Sequence, residues 1–160
     1  MWLKLDTGVG IIHFRVRNYR DNQDDYNDWC TIDLIIESNV INYALRDDEA
    51  LEVGELIHIE KTLDETLAGQ GDGVTVIEPM EPYMLFEFNP MYDNIVFPNM
   101  IWKIILWDNE DAPSDSTINL FIFGAELKML SKYLKYARGQ LKVSDSEIAE
   151  LIDKGIICEE

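Results

Sequence analysis

Cysteine is scarce in this sequence. Cys30 and Cys158 are the only two among 160 residues, and they lie far apart in the chain. A disulfide framework requires more cysteines, and a zinc site requires further ligands at short spacing. We therefore expect two reduced thiols in a cytoplasmic protein and no zinc site. As a separate expectation, the sequence predicts neither a resident metal ion nor a cofactor.

Long apolar runs are absent as well. No stretch approaches the roughly 18 consecutive apolar residues that a membrane-spanning helix requires. The N-terminal MWLKLDTGVGIIHF does not combine a basic leader with a long apolar core, as a signal peptide does. We expect no membrane association, and the length predicts a single globular domain over residues 1–160.

Basic residues are also few compared with acidic ones. Thirteen Lys and Arg stand against 31 Asp and Glu, which gives a formal net charge of −18. Residues 21–125 contain 23 acidic residues but only Arg46, Lys61 and Lys103 as basic ones. This charge should repel nucleic-acid phosphates and anionic lipids and attract a cationic partner. Acidity that serves only solubility would give the same composition, so charge alone does not define a function.

Apolar periodicity predicts the secondary structure. Strands are predicted in two runs around TGVG (7–10), in WCTIDLIIES and VINYALR, in GVTVIEP and YMLFEFNP, and in MIWKIILW and TINLFIF. Helices are predicted over roughly residues 48–68, in GAELKMLSKYLKYARG, and near residues 144–153, where Ser144 and Glu147 form a capping-box pattern. The glycines of GQGDG (69–73) follow the first helix and are predicted to end it, rather than to bind phosphate.

Short hairpins favour antiparallel pairing, and helices over such a sheet define an α+β fold. We therefore expect a largely antiparallel sheet of about seven or eight strands with two main helices packed on it. Residues 28–69 and 100–139 each run as tryptophan, strand, turn, strand, helix and glycine. This shared order is compatible with an internal duplication and equally with two unrelated strand–strand–helix units.

The acidic run RDNQDDYNDWC (20–30) does not have the spacing of a calcium-binding loop. A loop starting at Asp21 would need Gly at its sixth position and Glu at its twelfth, where Tyr26 and Ile32 stand. We therefore expect an acidic loop that leads Trp29 into the next strand. A loose surface site for a cation is an alternative.

No pattern in the sequence predicts an enzyme. His13 and His58 have no nucleophile at a recognisable spacing, and no nucleophile elbow occurs. Asp33 and Glu87 each interrupt an apolar strand, and alternation places both on the solvent face. Either could act as an acid or base only if an apolar pocket raised its pKa.

Two further groups of residues have a structural interpretation. Strand aromatics are predicted to fill the core rather than to line a ligand pocket; they are Trp29, Phe86, Phe88, Trp102, Trp107, Phe121 and Phe123. The basic residues of the long C-terminal helix are predicted to form a solvated face opposite its leucines; they are Lys128, Lys132, Lys135 and Arg138.

Several of these segments together resemble the immunity proteins of the WapI type. The run DDYNDWCTIDLIIES is similar to the start of that family, where an acidic stretch leads into Asp-Trp and an apolar strand. EPYMLFEFNP, MIWKIILW and TINLFIFGAELKMLSKYLKYA are similar to its middle strand, its next strand, and its last strand with the closing helix. The resemblance covers roughly residues 24–141.

The resemblance implies a bacterial, cytoplasmic, non-enzymatic protein that binds and blocks the toxic C-terminal domain of a contact-dependent toxin. Many such domains are nucleases with basic active sites, to which a negatively charged protein would be steered. Partner binding is then expected at two acidic segments, where Tyr26 adds an aromatic anchor. These residues are Asp21, Asp24, Asp25, Tyr26, Asp28, Asp108, Glu110 and Asp111.

Two other functions stay open at this point. One is a small-molecule-binding protein or small enzyme with its site on the sheet face. The other is an acidic mimic of DNA, for which regularly spaced carboxylates along one face would be evidence. The sequence predicts no oligomeric state.

Overall fold

The structure is a computed structural model and describes residues 1–8, 10–20, 28–91, 98–107 and 112–159. The elements in chain order are β1 (Trp2–Asp6), β2 (Ile11–Arg17), β3 (Trp29–Glu37), β4 (Asn42–Glu52), α1 (Val53–Leu67), β5 (Thr75–Ile77), β6 (Met84–Asn89), β7 (Asn99–Trp107), β8 (Pro113–Phe123), α2 (Gly124–Ala137), α3 (Ser146–Asp153) and β9 (Ile157–Cys158). Among the described residues, no helix is long and apolar enough to cross a bilayer.

The strands form two antiparallel sheets instead of one. The first sheet has the order β4-β3-β2-β1-β9, and the second has the order β5-β6-β7-β8. The α+β class is confirmed, but the single sheet of seven or eight strands is wrong, since the described residues form nine strands. The sequence pattern did not predict two features. β5 starts a new sheet after α1, and β9 is a two-residue strand that pairs with β1.

The core lies between the inward faces of the two sheets and the helices. Phe14 of β2 and Trp102 of β7 meet edge to face with ring centroids 5.1 Å apart, and the Tyr133 ring of α2 lies 5.9 Å from that of Phe14. All three residues are at most 2% exposed. Burying a large side chain contributes about 1.5–3 kcal/mol, so this contact stabilises both sheets and α2 together.

The prediction that the strand aromatics fill the core is only partly correct. Trp102, Phe86 and Phe88 point inward and are buried, as predicted. Phe121 and Trp107 lie on the opposite face of the second sheet and are 51% and 36% exposed. The cause is the two-residue period of β8: the residues on either side of Phe121 occupy the inward face.

Helix α1 begins later than the sequence predicts. The acidic run at residues 47–49 favours a helix from about residue 48, but β4 continues through it to Glu52. Pairing with β3 buries Ala50 and Leu51, and this burial outweighs the local preference. Glu55 then stabilises the helix start, because its carboxylate accepts the backbone N–H of Glu52 at 2.8 Å.

Helices α2 and α3 form where the sequence predicts them, with one correction. The residue before α3 is Asp145, so the capping role predicted for Ser144 is wrong. The Asp145 carboxylate accepts the backbone N–H of Lys142 at 2.8 Å and closes the turn that precedes the helix. This contact belongs to the turn, because Asp145 makes no side-chain hydrogen bond to the first N–H groups of α3.

The two segments with a shared order, residues 28–69 and 100–139, are each a hairpin followed by a helix. Their hairpins belong to different sheets, and their register shifts lie at different places. The shared order therefore remains compatible with duplication and with two independent units.

Two of the four basic residues at this face of α2 pair with α1 and a third pairs with α3, so the predicted solvated face is only partly correct. The Arg138 side chain is 10% exposed and is ion-paired with Glu60. Lys135 Nζ lies 2.6 Å from an Asp64 carboxylate oxygen. Lys128 is exposed, as predicted. The sequence of α2 alone does not show which acidic residues of α1 will face it.

Candidate functional site

The structure describes one of the eight residues predicted to bind a partner. Asp28 is exposed and stands directly before β3. The other predicted residues lie outside the described ranges; they are Asp21, Asp24, Asp25, Tyr26, Asp108, Glu110 and Asp111. The predicted strand start at Trp29 is confirmed, because β3 begins there. The acidic loop predicted before it lies outside the described residues.

A polar hollow lies at the base of the first acidic run. Arg20 and Asp28, which flank residues 21–27, line a concavity of about 340 Å³ together with Trp29, Thr31 and Glu49. The carbonyl oxygen of Asp28 accepts the N–H of the first residue of α1 at 2.8 Å. The base of the run is thus tied to the fold, and two exposed carboxylates face solvent beside it.

Asp33 is the centre of a buried ion network, and its predicted solvent exposure is wrong. It lies on the predicted face of β3 but is only 2% exposed. Its carboxylate accepts from Arg15 Nε at 2.8 Å, from Arg17 Nε at 3.1 Å and from the backbone N–H of Asp47 at 2.8 Å. The arginines of the neighbouring strand cover it, since Arg15 is its direct cross-strand partner.

A β-bulge supplies the third donor of this network. The pairing of β3 with β4 shifts by one residue between Ile32 and Leu34, and Asp47 adopts the left-handed conformation with φ 58°. Aspartate tolerates this conformation better than most residues. The bulge turns the Asp47 N–H towards Asp33, and the Asp47 carboxylate accepts from Arg17 Nη2 at 2.7 Å.

These contacts fix the charge of Asp33. Burial alone would raise the pKa of Asp33, but the Asp47 N–H and the guanidinium groups of Arg15 and Arg17 outweigh burial and hold that pKa below its ordinary value. A general acid needs a raised pKa. Asp33 therefore has the opposite property to the one that a general acid would require.

The outer face of the first sheet also carries a hollow of mixed charge that the sequence did not predict. Lys4, His13, Arg46 and the acidic Glu159 line a concavity of about 470 Å³ together with Trp2. Arg15 lies over the Trp2 ring at 4.3 Å from its centroid. The basic residues come from three different strands, so only the β1–β2–β3–β4 register could have revealed the grouping.

Neither histidine joins a nucleophile–base arrangement in the described part of the chain. His13 Nε2 lies 3.5 Å from a Glu37 carboxylate oxygen on the neighbouring strand. His58 is exposed on α1. Within the described ranges, no three His, Cys, Asp or Glu residues converge as metal ligands would.

Glu87 lies on the outer face of the second sheet, as alternation predicts. It is half-buried and forms an ion pair with Lys103 of β7. The pair stands on an open sheet surface, whereas an enzyme that used Glu87 as an acid would need it in an apolar pocket.

These features define an acidic α+β protein whose sheets present open outer surfaces. The model of the immunity protein WapI-like family matches residues 3–152. The match spans nearly the whole chain, and the chain belongs to the WapI-like immunity protein family. The resemblance seen in the sequence is confirmed, and membership indicates a role in immunity to a toxin. No curated protein and no solved structure matches the chain.

Proposed function

We propose that this protein binds and neutralises a cognate toxin domain in the bacterial cytoplasm, without catalysing a reaction. The observation that carries the proposal is the family match over residues 3–152. The net charge of −18 supports a basic, nuclease-like domain as the partner. A nuclease must hold phosphate and therefore presents positive charge, which a strongly acidic protein attracts.

The acidic runs at residues 21–28 and 108–111 are proposed to face the partner. Asp28 is exposed, and the hollow beside it contains Glu49 as a second carboxylate. Exposed charges act mainly on the rate of association and on specificity, whereas buried aromatic anchors supply most of the contact energy. Neutralising the first run should therefore slow binding without unfolding the protein.

The direct test first sequences the genes beside this one, and then pairs this protein with the C-terminal domain of a large secreted protein encoded there. Co-expression should restore the growth of cells that carry the toxic domain, and the two proteins should co-purify. The triple variant Asp24→Asn, Asp25→Asn, Asp28→Asn should bind more weakly at unchanged thermal stability. The control variant Glu65→Gln, Asp153→Asn, Glu159→Gln removes the same charge from other exposed positions.

The stoichiometry of protection separates an inhibitor from an enzyme. A binding protein should abolish the toxin's activity at one equivalent, whereas an enzyme acting on the toxin or its substrate would protect at far lower ratios. Protection at a small fraction of one equivalent would overturn the non-enzymatic proposal. Failure to protect or bind at any ratio would overturn the choice of partner.

A further inference from the structure

The outer face of the second sheet exposes several apolar side chains, which lie among polar ones. The cross-strand register aligns Val76, Glu87, Ile101 and Phe121 in one row across all four strands. Val76 and Phe121 are 48% and 51% exposed. The apolar residues of this surface, which we call the β5–β8 face, are Val76, Leu85, Ile101, Ile105 and Phe121.

Aromatic and apolar side chains give most of this face the character of an interface core. Tyr83 stacks on Trp107 at its end, with ring centroids 4.9 Å apart. Interfaces take much of their energy from Tyr and Trp, and their cores contain few charged residues. The only ion pair that the described residues place on this face joins Glu87 and Lys103. The outer face of the first sheet is more highly charged, because Arg15, Asp33 and the hollow of mixed charge occupy it.

A hollow of about 480 Å³ at one edge of the β5–β8 face combines rings with carboxylates. Phe121 and Phe123 stack at 6.3 Å with an interplanar angle of 9°, and Asp6 and Glu126 line the same hollow. The N–H of Gly8 holds the Asp6 carboxylate at 2.9 Å. Neither carboxylate is ion-paired with a cation among the described residues.

We propose that the β5–β8 face is the docking surface for the toxin domain, and that the hollow receives one Arg or Lys side chain of that domain. A guanidinium can lie against the Phe121 and Phe123 rings while it pairs with Asp6 and Glu126. The inference rests on the proposed function. It adds a contact surface distinct from the acidic runs, which act through steering.

Charge decides between a toxin domain and a second copy of this chain as the occupant. Four strands of about six residues present roughly 400 Å², about half of the roughly 800 Å² that each partner buries in a standard interface. The rest of the contact must come from the rim. Asp72 and Glu78 flank β5 at one edge, and Asp6 and Glu126 lie at the other. Two copies would oppose these carboxylates, whereas a basic domain would complement them.

The test uses Phe121→Thr, which keeps a good strand residue at an exposed position. The matched control is Val143→Thr, since Val143 is 47% exposed and lies beyond the far end of α2, about 20 Å from Phe123 along that helix. Surface plasmon resonance against the neighbouring-gene toxin domain should show dissociation about 30-fold faster for Phe121→Thr and within twofold of wild type for Val143→Thr. Equal dissociation rates for wild type and Phe121→Thr would overturn the inference.

A second measurement tests cation binding by the hollow without using the toxin domain. Triarginine, titrated into the isotopically labelled protein, should shift the amide signals of Gly8, Phe121 and Phe123 saturably, and Glu126→Gln should weaken this binding at least fivefold. Triglutamate should cause no shift there. If the wild-type protein does not bind the toxin domain, the proposed function is wrong. The triarginine titration then still tests whether the hollow binds a cationic side chain. No shift at Phe121 and Phe123 would overturn it.

Discussion

Replacing Asp33 by Asn should destabilise the protein without changing its shape. The Asn side chain presents a neutral amide to Arg15 and Arg17, so the charge-assisted hydrogen bonds of the carboxylate are lost. Hydrogen bonds to charged groups contribute about 1.5–3 kcal/mol, and removing one partner of a buried pair costs up to about 3–5 kcal/mol. The Arg15 and Arg17 side chains are 22% and 35% exposed, so water can replace some of the hydrogen bonds that they lose. We expect a loss of about 2–3 kcal/mol.

The pH dependence follows from the direction of the pKa shift. The pKa of Asp33 is lower in the folded state than its ordinary value, which is about 3.9 in an unfolded chain. A carboxyl with a depressed folded-state pKa contributes stability above its unfolded-state pKa, and that stability is lost as pH falls through the folded-state pKa. The difference between wild type and Asp33→Asn should therefore be constant between about pH 6 and 8 and shrink below about pH 4.

Thermal unfolding followed by circular dichroism measures both effects. At about 2–4 °C per kcal/mol for a chain of this length, the melting temperature should fall by about 5–10 °C at pH 7. Asp153→Asn, at an exposed position, is the control and should change it by less than about 2 °C. A variant as stable as wild type at pH 7, or a difference that grows towards acid, would refute the assigned network.

Two further predictions concern the backbone and a thiol. Asp47→Ala should be about 1–2 kcal/mol less stable than Asp47→Gly in urea unfolding, because both variants lose the contact with Arg17 but only Ala is strained at φ 58°. Equal stabilities of the two variants would contradict the left-handed conformation at this bulge. Burial raises the pKa of the Cys30 thiol to about 12, so a thiol reagent at pH 8 should label Cys158 in the native protein and both cysteines in denaturant. Rapid native labelling of Cys30 would contradict its burial.

Local periodicity predicted most element positions. The continuous apolar character of β3 and β7 and the leucine spacing of α2 are strong local signals, and these elements form where expected. The start of α1 was misplaced because residues 47–49 have a local preference that β3 overrides by pairing with them. The division into two sheets depends on which strand β5 joins, and no local pattern records that choice.

The site was harder to predict for the same reason. Alternation gave the correct face of β3 for Asp33, but its burial depends on arginines 16 and 18 positions earlier, which only the β2–β3 register places beside it. Phe121 was assigned to the core because its type favours burial, although the period of β8 turns it outward. The functional prediction came from the family resemblance, which depends on the order of several segments and not on any single site residue.

The central claim is that this acidic protein captures a basic toxin domain. The most direct measurement is the association rate constant of the two proteins at about 0.1 M and 1 M salt, where the Debye length falls from about 10 Å to about 3 Å. Steered association predicts a rate constant near 10⁸ M⁻¹s⁻¹ at the lower salt, on the order of 100-fold above its value at the higher salt, with a much smaller change in dissociation. A rate constant that does not respond to salt would contradict the claim.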